Sequence, residues 1–526
     1  MDSIRIQGLK SLKDTGELTL KPLTILLGEN SAGKSTFLRT FPLIKQSITS
    51  NTRGPLLWYG SYVDFGDFSN SLSKFSEDET IKFNFGINLE EFKETRYRFF
   101  YTDYINRCFL GKLNFNVAIS KDKKTSERVS EIEIKFHDAN VTLGFGKNRN
   151  SIQKAVVNGS DFTELFSKVI LMPAGKSGIL PNIRFENNSE KMFLEQSYLP
   201  YPLLNPEIYS ILFNLIEKEY VRKGTKVSKI VSSIIQCDIS SNKRLHSSLM
   251  KASETKSWKQ KIGALSPDSK EIEEIKSLIF ALNIPSLLLV FNNYISGYFS
   301  KISYIAPLRA TAERYYRTQN LGVDEVDHQG SNLPMFIDNL PESQRVELNQ
   351  WMQENFGFSL KLNSPQGHLS LFLHYEDASV GFNIADMGFG FSQILPILIQ
   401  LWFTQYKRTT RDHIIGFDTK KQLIVVEQPE LHLHPRIQAK LINAFVKAIN
   451  FCNEKNLDLK IIIETHSETI INHVGRMIAN GTFAKDQTQI VIFEKESQES
   501  YTSVKKSNYD QDGCLTDWPW GFFDTE

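Results

Sequence analysis

Apolar and polar residues alternate in the opening stretch SIRIQGL, where Ile4 and Ile6 share a face, and this predicts a strand. The next apolar run, LTILLGEN, passes into a glycine-rich turn and then a helix beginning at KSTFLRTF. From Ile81 to Gly146 the period is two: IKFNFGINL, RYRFFYTDY, KLNFNVAIS and EIEIKFHDANVTLGF predict antiparallel strands, with polar turns such as SKDKKTSERVS between them. From Asp161 to Ser300 the rhythm becomes helical, as in PEIYSILFNLIEKEYVRK and SKEIEEIKSLIFALNIPSLLLVFNNYI. No heptad is sustained, which favours a helical insertion over a long coiled coil. Beyond residue 300, ISYIAPLRA, LSLFLHY, QLIVVEQ, LKIIIETHS and TQIVIFEK read as strands, with helices between the later ones. That alternation implies a largely parallel sheet covered by helices. The expectation is an α/β protein in three segments: an N-terminal lobe over 1–155, a helical insertion over 156–300 and a C-terminal lobe over 301–526.

Composition narrows the class. A chain of 526 residues exceeds one ordinary core. A net charge of +1 gives no global attraction to nucleic acid or to an anionic membrane. Cys108, Cys237, Cys452 and Cys514 lie far apart and form no CxxC pair, which predicts reduced thiols in a cytoplasmic protein and no zinc module. MDSIRIQGLK lacks the apolar core of a signal peptide. The run Ile394–Phe403 falls well short of the ~20 residues needed to span a bilayer and reads as a core helix. The basic clusters VRKGTK and KASETKSWKQK read as solvated helix faces, with a DNA-binding patch as the alternative. The closing DWPWGFFDTE is aromatic enough to predict a docked tail.

The chemistry concentrates in a few strings. GENSAGKS, comprising Gly28, Glu29, Asn30, Ser31, Ala32, Gly33, Lys34 and Ser35, fits GxxxxGK[ST] between a strand and a helix. Such a loop turns backbone N–H groups and a helix N-terminus toward phosphate oxygens. Lys34 is expected on the β- and γ-phosphates, Ser35 on Mg²⁺ and Thr36 on the α-phosphate. LIVVEQPELHLHP ends a buried strand on Glu427, the expected Walker B acid holding Mg²⁺ through water. Gln428 follows, where a carboxylate general base is expected, and Glu430 could replace it if the turn at Pro429 aims it at the γ-phosphate. In DMGFGFSQILPIL, Gly388 and Gly390 permit close backbone approach, and Ser392, beside Gln393, is expected at a helix start with its hydroxyl free. IIIETHSETI ends on His466, a candidate γ-phosphate contact. P-loop, glycine–serine loop, acid-ended strand and His-ended strand, in that order, form the plan of ABC-type ATPases, in which one subunit's signature loop closes on nucleotide held by another.

Together, GENSAGKST, GFGFSQILPIL, VVEQPELHLHP and ETHSE resemble the soluble ABC ATPases of the overcoming-lysogenisation-defect (OLD) and RecF/SMC-like group. With WPWGFFD they are similar more narrowly to the defence ATPases called PtuA, found in Septu systems and beside some retrons. The resemblance covers residues 1–70 and 300–526. It implies an ABC-type ATPase head with a mixed, largely parallel sheet, an antiparallel β lobe and a helical insertion. It also implies ATP and Mg²⁺ as ligands and a homodimer or higher even oligomer. Ser392 would act in trans, His466 would be the switch histidine, and HLHP would form the D-loop crossing the dimer interface. Too little sequence follows ETHSE for the TOPRIM nuclease of the OLD proteins, so cleavage is expected from a separate HNH nuclease of the PtuB kind. A retron reverse transcriptase and its nucleic-acid product are further candidate partners. No Gln near LWYGSYVDFGDF marks a Q-loop, and Arg309 in PLRATAERYY is open between a salt bridge and a γ-phosphate contact. The competing readings are a RecF-like, ATP-gated DNA clamp, a transporter ATPase subunit, and a hydrolytic metal site at Glu430, His432 and His434.

Overall fold

The computed structural model describes the chain except for residues 90–104, 106, 122–126, 147–150, 173–177, 186–204, 223, 319–321, 324, 365–366, 377–379, 407–420, 496, 498–499 and 517–526. The expected strand RYRFFYTDY and the closing DWPWGFFDTE lie outside the described residues. Along the chain come strands β1 (Ser3–Leu9) and β2 (Leu23–Gly28), then helix α1 (Lys34–Thr49). Five strands follow: β3 (Ile81–Asn88), β4 (Lys112–Ser120), β5 (Arg128–Phe136), β6 (Ala139–Phe145) and β7 (Ile152–Val157). Short helices lead to the long α2 (Lys270–Phe299) and then to strand β8 (Ser303–Ile305). The remainder includes α3 (Phe389–Tyr406), β9 (Lys421–Glu427), α4 (Pro435–Glu454), β10 (Asp458–Glu464), α5 (Glu468–Ala479), β11 (Thr488–Glu494) and β12 (Ser503–Ser507).

These elements form two compact units. Among the described residues, one comprises Met1–Thr19 and Leu43–Ser300, the other Leu20–Pro42 and those from Lys301 onward. The division runs across the segments expected from sequence, because β2 pairs not with its chain neighbours but with β10 and β11, more than four hundred residues on.

In the first unit β7, β6, β5, β4, β3 and β1 pair antiparallel in that order. Every second residue of β3, and of β5 from Ile132 to Phe136, is buried, as a sheet with one covered face requires. Helix α2 supplies cover: Phe291 packs on Phe85 and Phe115 at ring distances of 5.6 and 4.5 Å. Among the described residues α2 is the helix long and apolar enough to cross a membrane, and 89% of its most apolar window is buried. A hairpin of Val169–Met172 with Asn182–Phe185 interrupts the stretch read as helical. Alternating burial in VILM shows the two-residue period that helix-length neighbours mask. In the second basic cluster Lys259 pairs with Glu254, and Lys261 caps the Glu219 carbonyl.

The second unit is built on a six-stranded sheet in the order β8-β9-β10-β2-β11-β12, parallel except for β12. Leu23, Ile25 and Leu27 share a face with Ile424, Val426, Ile461, Ile463, Ile490 and Ile492, packed with Leu441 and Phe445 of α4, Ile470 of α5 and Leu398 of α3. On the opposite face Phe37 of α1 meets Phe493 of β11 at 5.8 Å. Burial on both faces explains why these strands read as continuous apolar runs. Their carboxyl ends, where such sheets collect functional groups, carry Gly28, Glu427 and Glu464.

Candidate functional site

The loop after β2 keeps the conformation its glycines permit. Gly28 has φ 148° and Gly33 φ 99°, and a Cβ on Gly28 would lie 2.1 Å from the Phe493 carbonyl oxygen. Glu29, Asn30 and Ser31 form the exposed rim, while Ala32, Gly33 and Lys34 are buried. Thr502 buttresses the loop, donating to the Ala32 carbonyl at 2.8 Å. Lys34 Nζ folds along the loop and donates to the carbonyls of Gly28 (2.8 Å) and Glu29 (2.6 Å). Burial lowers its pKa, against the pull of Glu464, Glu29 and Glu430. Ser35 and Thr36 follow in the first turn of α1, where backbone N–H groups lack intrahelical acceptors.

Two glutamates end adjacent strands in register, Glu427 on β9 opposite Glu464 on β10. Both face α1, and residues four apart on that helix meet them. Ser35 Oγ donates to Glu464 Oε1 at 2.8 Å. Arg39 grips Glu427 with Nε on Oε1 and Nη2 on Oε2, both at 2.8 Å, and Tyr304 Oη donates to Oε1 at 2.7 Å. Both oxygens of Glu427 are therefore engaged, and the acid on the P-loop serine is Glu464. Glu464 is 3% exposed, and its Oε2 has no hydrogen-bond partner among the described residues. Burial and the neighbouring charge of Glu427 push its carboxyl up to about 7.

After Glu427 the chain reverses through Gln428, whose φ of 43° is left-handed and whose N–H donates to the Glu464 carbonyl at 2.8 Å. The reversal returns Glu430 over the end of β10, where Oε1 accepts from the His466 N–H at 2.8 Å and Oε2 has no partner among the described residues. Desolvation raises the Glu430 carboxyl. Desolvation, followed by the Lys34 charge, lowers the His466 imidazole below its ordinary value. Arg309 is 6% exposed and donates Nη2 to the Glu427 carbonyl at 2.7 Å. Its Nε and Nη1 are buried without partners among the described residues, and burial lowers it to about 10 despite Glu430 and Glu427 nearby.

At the start of α3, Ser392 differs from expectation. It is buried, and its hydroxyl donates back to the Phe389 carbonyl at 2.8 Å, as a serine in a helix's first turn readily does. Gln393 is turned inward, its amide reaching the Arg309 carbonyl at 3.4 Å. The exposed group at this helix start is Phe389, 59% exposed and 5.9 Å from the His432 ring. A Cβ on Gly390 would come within 3.1 Å of the His432 carbonyl, so the HLHP turn lies against the glycine loop of the same chain. His434 caps α4, its Nδ1 accepting from the Arg436 N–H at 3.2 Å. Among the described residues no three His, Cys, Asp or Glu side chains are grouped to hold a metal.

A family model described as AAA ATPase domain matches residues 1–471. The chain belongs to the AAA ATPase domain family. Membership implies ATP and, with it, Mg²⁺, and the P-loop cradle, buried Lys34 and unpartnered Glu464 oxygen suit a magnesium nucleotide. Endonuclease GajA of Bacillus cereus (strain HuB5-5) is 26% identical to this family member over 147 residues, which are 26% of this chain and 20% of GajA, so the match spans about a fifth of that protein. Among solved structures, an Smc head bound to the C-winged helix domain of ScpA aligns at TM-score 0.34 and 9% identity, covering 96% of this chain and 97% of that one. The SMC head domain from Thermotoga maritima aligns at TM-score 0.34 and 7% identity over 96% and 97% of the two chains.

Glu464, Arg39 and Tyr304 were not singled out from sequence. Glu464 stands two residues before His466 in the same string, and its strand-end position was the available signal. Arg39 carries none beyond being four residues after Ser35.

Proposed function

We propose that the protein is a slowly hydrolysing ATP switch that dimerises around nucleotide and controls a separate HNH-type effector nuclease in anti-phage defence, in the manner of PtuA-like ATPases. The observation that carries this reading is the pair that follows Glu427. An amide, Gln428, occupies the position after the strand end, and Glu430 is held over β10 beside the phosphate-binding lysine. An amide can orient an attacking water but takes no proton from it. Lys34 offsets phosphate charge, His466 offers its ring to the γ-phosphate, and Glu430 is the base that remains. Partial identity to GajA, an endonuclease by name, supports a setting in nucleic-acid cleavage.

The test is steady-state phosphate release by the full chain with ATP and Mg²⁺. General-base catalysis contributes typically ~10²–10⁴-fold, so Gln428→Glu is expected to raise turnover and Glu430→Gln to lower what the wild type shows. Fast wild-type turnover that is insensitive to Glu430→Gln contradicts the proposal.

A further inference from the structure

We infer that Glu464, and not Glu427, is the carboxylate that holds the magnesium ion beside Ser35. The inference rests on the nucleotide-site reading above and goes beyond it by assigning the ligand. Three observations converge. Neighbouring strands are about 4.8 Å apart, and β10 lies directly beside the P-loop strand β2, whereas β9 lies one strand further away. Glu464 is accordingly the acid that reaches the Ser35 hydroxyl, at 2.8 Å. The Glu427 carboxylate is already neutralised by a two-point contact with Arg39 and a third bond from Tyr304. A charge-assisted fork of this kind is among the stronger side-chain interactions, and a metal would have to displace it or add to a neutralised group. Finally, Glu464 Oε2 is buried with no partner among the described residues. Leaving such an oxygen unpaired is costly, and native structures commonly reserve one for an ion or water.

Glu427 then has a different task. Its side chain pins α1 through Arg39, and its carbonyl anchors Arg309, so it fixes the turn that presents Gln428 and Glu430. Glu464 holds the ion directly or through one of the waters Mg²⁺ retains.

The experiment measures ATP binding to the full chain by calorimetry, in EDTA and in Mg²⁺, together with Mn²⁺ affinity of the ATP complex by electron paramagnetic resonance. Glu464→Gln keeps an acceptor for Ser35 and removes the charge. It is expected to weaken Mn²⁺ binding by about 10-fold or more, while ATP binding in EDTA is retained or tightened because a carboxylate no longer faces the phosphates. Glu427→Gln is expected to leave Mn²⁺ affinity within about 3-fold of wild type, below the 10–100-fold typical of disturbed metal shells. Wild-type Mn²⁺ affinity in Glu464→Gln, or its loss in Glu427→Gln alone, overturns the assignment. If Glu464→Gln fails to fold, Glu464→Asp carries the test, with a weakened and spectroscopically altered Mn²⁺ signal expected and an unchanged one overturning it. Absence of ATP binding by the wild type would instead defeat the nucleotide-site reading itself.

Discussion

Arg39 illustrates how one side chain redistributes the roles of its neighbours. Without it, Glu427 would be a buried carboxylate, 2% exposed, whose side chain keeps the Tyr304 hydroxyl as its hydrogen-bond donor among the described residues. Arg39 itself is 39% exposed, so solvent screens part of the pair, and Arg39→Ala is expected to destabilise the protein by about 2 kcal/mol. Adding Glu427→Gln should restore much of that loss, because an amide tolerates the missing cation. Urea midpoints of the single and double variants check this, and a double variant no more stable than Arg39→Ala would contradict it. Glu464 gives a second residue-scale expectation. Its folded-state carboxyl is raised to about 7 from 4.5, so the folded protein holds that proton more tightly than the unfolded chain. For this group stability is present below pH 4.5 and is lost as pH rises toward 7. Metal-free wild type and Glu464→Gln should therefore have similar urea midpoints below that window. Above it the variant should be the more stable.

Helix α3 carries the element-scale argument. Its first turn buries Ser392 and Gln393 and exposes Phe389 beside the HLHP turn. An Arg at position 392 would disrupt the monomer's own packing, so the dimer is better tested at Phe389. Phe389→Asp changes an exposed site at a helix start, where a negative charge is favoured, and should alter monomer stability by no more than about 0.5 kcal/mol. In an ATP sandwich the same carboxylate would face a partner's phosphates. Light scattering with ATP should then show dimers in wild type and monomers in the variant. Dimers that persist in Phe389→Asp count against closure through this loop.

At the scale of the whole molecule, the nucleotide elements belong to one compact unit assembled from both ends of the sequence, residues 20–42 with the described residues from 301 onward. The proposed division of labour assigns nucleic-acid cleavage to another chain. The purified protein is expected to leave DNA and RNA intact with Mg²⁺ or Mn²⁺, and to support cleavage only with an HNH partner. Metal-dependent cleavage that copurifies with the chain and disappears in His432→Ala would contradict that division.

Local chemistry determined much of this in advance. The P-loop string needs only its own glycines, lysine and helix start, so Gly28 to Thr36 were legible as a unit. The buried strands at Leu23–Gly28, Lys421–Glu427 and Asp458–Glu464 were legible because a sheet covered on both faces demands uninterrupted apolar runs. Antiparallel strands in the first unit announced themselves by their two-residue period. Strand order is different, since it depends on pairings between residues far apart in the chain and leaves no local trace. That order put β10, not β9, beside β2, and so Glu464 rather than Glu427 against Ser35. Whether a strand-end acid is free or clamped was likewise decided in three dimensions, by Arg39 and Tyr304 arriving from α1 and β8.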